Sequence, residues 1–206
     1  MKSWEQWHED YERPGSPLAR RLVVVQAYLR TALDAFGAPP VVLSLCSGDG
    51  RDVIGVMAGG QGVIGRAVLV EKDPGLGERA RRAAGDHRLA NLEVRCQDAG
   101  TVTSFGDVIP VDVLLLCGVF GNIPRPTVKS VIGLIPELVR AGGYVIWTRG
   151  GSQPDRRPEI RSWMRSAGLE EIAFTGDPEP FGVGLNRLTD VVSTSGSLPE
   201  RLFSFV

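Results

Sequence analysis

The sequence is short of most of the features that would assign it quickly. Its three cysteines, Cys46, Cys96 and Cys117, are odd in number, far apart and free of any CxxC pair. That argues against a disulfide framework or a thiolate zinc site and fits a reducing cytoplasm. Histidine occurs twice, and no cluster of His and acids stands at metal-ligand spacing, so no metal is expected. No apolar run reaches the roughly 18 residues of a membrane span, so no membrane partner is expected. The first stretch, MKSWEQWHEDYERPGS, has no apolar core and does not read as a secretory signal. The net charge of −1 supplies no basic field to attract nucleic acid. Lysine occurs only at positions 2, 72 and 129, and the densest cationic run, Arg79, Arg81 and Arg82, reads as a solvated helix face. Repeats and low-complexity segments are missing too. What is there is ordinary: 206 residues, 43% hydrophobic and 23% charged, suit one globular domain with a well-buried core. No feature sets the oligomeric state.

Residues 1–38 read as an N-terminal helical arm, distinct from the alternating pattern of 39–206. Trp4, Trp7, His8 and Tyr11 recur at helical spacing before Pro14-Gly15. They suit an amphipathic helix docking its rings on a sheet edge, and equally a lid over a pocket. Ser16-Pro17 marks a helix start, and apolar residues from Leu18 to Phe36 follow at helical spacing. From residue 41 strands and helices alternate. VVLSLC (41–46) is a strand, Arg51 to Met57 a helix, AVLVEK (67–72) a strand, 75–85 a helix, and NLEVRC (91–96) and VDVLLLC (111–117) strands. Thr127 is expected to cap a helix from Val128 to Arg140, ended by Gly142-Gly143. YVIWT (144–148) is the fifth strand, and a helix from Pro158 to Ala167 follows. LEEIAFTG (169–176) and VGLNRLTDVV (183–192) close as an antiparallel pair. This alternation is the signature of a parallel sheet with helices on both faces.

In such a sheet a ligand sits at the carboxyl ends of the strands. Ser47-Gly48-Asp49-Gly50 follows the first strand there. Glycine lets the chain turn at positive φ and bring its N–H groups against a ligand. The helix that follows turns its N-terminus to the same space. Glu71 lies 21 residues beyond Gly50, at the end of the second strand, where a carboxylate accepts from ribose hydroxyls in nucleotide sites. Asp98 follows the third strand. It suits an acceptor for an exocyclic amine, or a cap for the short helix after Gly100. Together the three strand ends suit an adenosine.

The ordered set resembles the class I S-adenosylmethionine-dependent methyltransferase family. VVLSLCSGDGRD is similar to that family's first motif, VLVEKDP to its second and CQDAG to its third. VDVLLLCGVFGNI is similar to its fourth-strand region, and LVRAGGYVIW to its helix, Gly-Gly and fifth strand. The likeness spans residues 41 to 192. It implies an α/β three-layer sandwich with a mostly parallel seven-stranded sheet of order 3-2-1-4-5-7-6, the last strand antiparallel. It implies S-adenosyl-L-methionine as cofactor, with S-adenosyl-L-homocysteine as product. Ser44, Cys46, Ser47 and Gly48 would line the methionine part; Glu71 would hold the ribose. Lys72 would lay its stem on the adenine, while Asp98 and the Ala99 N–H would meet the adenine edge. Cys117, Gly118 and Phe120 would face the sulfonium.

The chain departs from the family pattern at two points. Ser44 stands where the family has an acid, and Cys46 where it has its first glycine. The acid helps hold the methionine ammonium, so that contact needs another source. Tyr11 is the candidate near the methionine carboxylate, ahead of Arg51. Asp49 reads as a turn residue and Asp52 as a first-turn acid stabilised by the helix dipole. For catalysis, in-line methyl transfer rests on proximity and alignment, and a base is needed only if the acceptor must lose a proton. His8 and Asn122 are the candidates; His87 reads as a solvated loop residue. Loop 118–126, GVFGNIPRP, lacks the Asn/Asp-Pro-Pro-Tyr signature for methylating exocyclic amines. A small-molecule acceptor is expected. Two other readings share the layout: an adenosyl-binding protein without transferase activity, and a nicotinamide-dependent oxidoreductase. The latter would want a third glycine where Val53 stands.

Overall fold

A computed structural model describes residues 9–60, 62–189 and 198–206. Trp4, Trp7 and His8, and the far end of the strand expected over 183–192, lie outside the described residues.

A short 3-10 helix, Glu9–Glu12, precedes α1 (Pro17–Leu33). Ser16 caps α1, its Oγ accepting from the Ala19 N–H at 3.1 Å, with Pro17 at the first helical position. Then follow β1 (Val41–Leu45), α2 (Arg51–Ala58), β2 (Arg66–Glu71), α3 (Pro74–Asp86), β3 (Leu92–Cys96) and β4 (Val111–Leu116). The chain continues through α4 (Arg125–Leu138), β5 (Val139–Gly150), α5 (Arg157–Ser166), β6 (Leu169–Thr175) and β7 (Phe181–Leu188).

The seven strands form one sheet in the order β3-β2-β1-β4-β5-β7-β6, as the family likeness implied. β1 to β5 pair in parallel, and β7 runs antiparallel to both β5 and β6. Successive side chains alternate between faces, so β1 feeds both cores. Val42 joins one cluster with Leu29 of α1, Val53 of α2 and Ala80 of α3. Leu43 and Leu45 join the other, with Ile135 of α4 and Met164 of α5. The sheet is therefore buried on both sides, which explains the uninterrupted apolar runs of β2 and β4.

Two boundaries differ from expectation. α4 begins at Arg125 with Pro124 as its N-cap, not at Thr127. Pro126 is the reason: a proline is tolerated in a first turn, where its missing N–H costs nothing. At the far end Gly142-Gly143 does not stop the helix, because β5 starts at once from Val139. Val111 pairs with Val139 and Val113 with Tyr144, so residues 140–143 form a bulge, with Gly142 at φ +79.

One element had no forecast. Residues 198–206 lie along the chain after β3: the Leu202 N–H donates to the Gly100 carbonyl (2.8 Å), and the Val102 N–H to the Glu200 carbonyl (2.9 Å). The Val206 N–H reaches the Asn122 carbonyl beyond β4 at 3.1 Å. This segment thus spans from the β3 loop to the β4 loop, across the sheet's carboxyl end.

Candidate functional site

Where β1 ends, the backbone is left-handed at every second residue: Cys46 (φ +58), Gly48 (φ +58) and Gly50 (φ +71). At Gly50 the left-handed φ strains any L side chain, and a Cβ there would also push on Leu69 and Ile54, so glycine suits the turn against β2. The loop is also tied to β2 by a side chain. Glu71 Oε2 accepts the Gly48 N–H and Oε1 accepts the Asp73 N–H, both at 2.8 Å. This carboxylate is held from both sides, and each oxygen keeps acceptor capacity for a further donor.

Beyond these ends lies a cavity of about 620 Å³, within the range of small-molecule and cofactor sites. Cys46, Ser47, Gly48, Glu71, Lys72, Asp98, Ala99, Cys117, Gly118, Tyr11 and Asn122 all line it. Ser44 does not. It is fully buried within β1 on the face of Val42, and its hydroxyl has no partner. Phe120 also turns away: it is buried and packs on Trp147, ring centroids 6.1 Å apart. His87 is an exposed residue at the end of α3, away from the cavity. His8 lies outside the described residues.

The two ends of the cavity differ. At the β2–β3 end, Asp98 Oδ1 accepts the Gly100 N–H and Oδ2 accepts from Arg201 Nη1, each at 3.0 Å. Lys72, largely exposed, stands 3.6 Å from Asp98 Oδ2. Both cations and the Gly100 N–H hold the Asp98 carboxyl below its ordinary range, against a desolvation that acts the other way. Asp98 is thus a turn cap and a cavity acid at once. Leu76, Phe203 and Phe205 add apolar wall there, the two phenylalanine rings stacked at 6.0 Å.

At the β1–β4 end stand Tyr11, Arg21, Asp52, Cys117, Gly118 and Asn122. Arg21 Nη2 donates to Tyr11 Oη at 2.6 Å, and the Arg51 guanidinium lies over the Tyr11 ring at 4.5 Å. Arg51 is otherwise engaged by Asp49 and by Glu12 (3.1 Å). The 3-10 helix is thereby fastened over the β1–α2 loop. Asp52 stands in the first turn of α2 as the sequence suggests, but it is buried, with only 7% of it exposed. Burial, with the Asp49 charge adding, pushes its carboxyl up to about 6, although the Val53 N–H and Arg21 act against this. Burial likewise pushes the thiols of Cys46 and Cys117 well above their usual range. Gly118 is fixed by its N–H to Thr148 Oγ1 (2.9 Å), and Asn122 Nδ2 donates to the Gly118 carbonyl (2.6 Å).

Sequence reasoning missed Arg21, the burial of Asp52, and Arg201 with Phe203 and Phe205. Arg21 sits on a helix whose spacing shows only a core face. The segment 198–206 is too short and irregular for any periodic signal; its one cue was the Phe-x-Phe pair.

Neither a protein-family model nor a curated protein matches the sequence. Solved structures do match in shape. A possible exported protein of Bordetella parapertussis is 18% identical over 83% of this chain and 68% of its own, with a TM-score of 0.66. An O-methyltransferase family protein of Burkholderia thailandensis is 16% identical over 91% and 70%, TM-score 0.62. The same organism's 1,6-didemethyltoxoflavin-N1-methyltransferase, with 1,6-didemethyltoxoflavin and S-adenosylhomocysteine bound, is 19% identical over 89% and 83%, TM-score 0.61. At such identities the likeness is one of fold. With the strand order, it makes the architecture that of the class I S-adenosylmethionine-dependent methyltransferases. Among the described residues no helix is long and apolar enough to cross a membrane, and no group of three His, Cys, Asp or Glu could hold a metal.

Proposed function

We propose that the chain is an S-adenosylmethionine-dependent methyltransferase acting on a small molecule. One observation carries this reading: the ends of β1, β2, β3 and β4 deliver chemically different groups to a single cavity, in the order in which such a donor would need them. The fit is good at the sugar. Glu71 is braced by two backbone N–H groups and keeps one acceptor position per oxygen for a pair of vicinal hydroxyls. Asp98 and the Ala99 N–H serve the adenine edge, with the Lys72 stem beside it. Cys46, Ser47 and Gly48 floor the chain of the donor, and Cys117 and Gly118 stand at its sulfonium end.

When bound, S-adenosylmethionine supplies a methyl group already activated on a sulfonium. The protein's own task is to hold, align and keep water out, which can supply most of the acceleration. Gly118 is suited to alignment, because Thr148 and Asn122 clamp its N–H and its carbonyl. Asn122 spends its amide N–H on that clamp, which leaves its Oδ1 for an acceptor. Tyr11, with Arg21, Leu22 and Val25 of α1, lines one side of the cavity, and Arg201, Phe203 and Phe205 the other. Such enclosure favours a metabolite over a macromolecule, and the 1,6-didemethyltoxoflavin bound in the Burkholderia structure is a small molecule. The dispersed cysteines suit a cytoplasmic setting.

Calorimetric titration with S-adenosylhomocysteine tests the reading. Binding is expected, and Glu71→Ala is expected to weaken it at least about tenfold, the loss of two hydrogen bonds to a charged acceptor. No heat and no thermal protection with either S-adenosylhomocysteine or S-adenosylmethionine would refute it.

A further inference from the structure

A second, smaller pocket lies past the carboxyl end of β5, where α4 and α5 both begin. Its volume is about 40 Å³, room for a few waters or one small charged group. Its walls are largely apolar, Phe120, Ile160 and Trp163 among them, yet the guanidiniums of Arg125, Arg149 and Arg156 line it too. The loop after β4 borders both spaces: Gly118 and Asn122 line the main cavity, and Phe120 the smaller pocket.

The acids at hand do not balance these cations. Arg125 Nε donates to both oxygens of Glu159 at 3.0 Å. Arg156 stands 3.6 Å from the same carboxylate. Asp155, the other acid nearby, is taken by Arg157, which donates to it through Nε (2.9 Å) and Nη2 (2.8 Å). Among the described residues Arg149 makes no ion pair. Its Nη1 donates to the Phe120 carbonyl at 2.6 Å, and its Nε is sealed from water without an acceptor. Burial, and then the Arg156 charge, hold Arg149 below the usual guanidinium range, with Asp155 acting against them. An excess of positive charge set against apolar walls is costly unless an anion arrives there. The N-termini of α4 and α5, neither capped by a side chain, add potential of the same sign.

We infer that this pocket seats an oxyanion, a phosphate or carboxylate group, and that the group belongs to the methyl acceptor. Arg149 and Arg156 donate to it, and Arg125, its guanidinium over the Trp163 ring at 5.5 Å, borders it. The pocket is too small for a whole metabolite. Its aromatic wall suits the organic body next to an acid better than a bare hydrated ion. The inference rests on the proposed function and narrows it: the acceptor is an acidic small molecule, anchored by its acid beside β5 while its reacting atom lies across the loop at β4.

Phenyl phosphate and inorganic phosphate are titrated calorimetrically into the whole chain at fixed ionic strength, with and without S-adenosylhomocysteine. Phenyl phosphate is expected to bind more tightly than inorganic phosphate, and equally well with S-adenosylhomocysteine present, because the two occupy different pockets. Arg149→Met and Arg156→Gln are each expected to weaken phenyl phosphate about tenfold and to leave S-adenosylhomocysteine within about twofold. Thermal melts check that the variants are folded; Arg156, on the pocket's rim, serves if Arg149→Met is not. Displacement of phenyl phosphate by S-adenosylhomocysteine would put it in the donor cavity and overturn the inference. Unchanged affinity in the folded variants, or no binding at all, would do the same while the functional reading stands. Inorganic phosphate binding as tightly as phenyl phosphate would make this a free-ion site and overturn its assignment to the acceptor. If phenyl phosphate binds through these arginines but S-adenosylhomocysteine does not bind, the functional reading falls, and the acceptor role with it, while the oxyanion pocket remains.

Discussion

Gly100→Ala is a one-carbon change whose cost can be worked out from the structure. The Gly100 φ is not left-handed, so alanine meets no backbone strain there. The obstacle is steric: a Cβ would lie deep inside contact distance of the Phe203 carbonyl oxygen, which is backbone and cannot rotate aside. The chain has two ways to relieve the overlap. Releasing the segment 198–206 would expose Leu202 and Phe203, now 5% and 4% accessible, at about 1.5–3 kcal/mol each. It would also break the Leu202–Gly100 and Val102–Glu200 hydrogen bonds. Shifting the backbone while keeping the segment docked costs about 1–3 kcal/mol, as overpacking does elsewhere. The second route is cheaper, so the expected loss is about 2 kcal/mol, or about 4–8 °C in Tm for a chain of this size. Because Arg201 and Phe203 line the cavity, affinity for S-adenosylhomocysteine should fall as well. Gly133→Ala is the matched control. That glycine is exposed within α4 and a Cβ there meets nothing within 4 Å, so the same substitution should stabilise by about 0.5–1 kcal/mol. Calorimetric or circular-dichroism melts of both variants decide the matter. An unchanged Tm for Gly100→Ala, or two shifts of the same sign, would refute the seating of residues 198–206 against the β3 loop.

Two further outcomes are expected. Asp52 titrates near 6 when folded against 3.8 unfolded, so between those pH values the folded state binds the extra proton, and stability falls as pH rises through that window. Above it the full cost of about 3 kcal/mol is present, and Asp52→Asn should raise the ligand-free Tm at pH 8 but scarcely at pH 4, with Arg21, Tyr11, Asp49 and Cys117 the charged or titratable groups around it; an equal shift at both pH values would contradict the assignment. Deletion of residues 1–15 removes Tyr11 and Glu12 and, among the described residues, none of the buried apolar residues of the two cores, so the melt should stay cooperative while S-adenosylhomocysteine binding weakens; undiminished binding would make the arm purely structural.

The sheet and most of the cavity wall were legible because they depend on local chemistry. Alternating apolar strands, a glycine pair after the first of them and acids at the ends of the next two follow from backbone geometry and can be read one segment at a time. Gly48, Glu71 and Asp98 therefore line one cavity as their spacing suggested, and Cys46 joins them as the family likeness implied. What was not legible depends on contacts between distant segments. Asp52 reads as a first-turn helix acid, and nothing in its local sequence shows that it is buried. Arg21 has no signature on a helix whose pattern shows only its core stripe. The β5 bulge at 140–143 looks like a helix stop, since glycine serves both purposes. Ser44 fits a motif position by alignment, but only the pleat decides which way it faces.

The two cysteines that floor the cavity, Cys46 and Cys117, bear on the handling of a reactive donor. A thiol attacks an electrophilic carbon as thiolate, and a sulfonium methyl is such a carbon. Burial keeps both sulfur atoms protonated across the physiological range. Under the proposed function, then, two thiols lining the cavity would be held protonated and slow to attack the donor's methyl group.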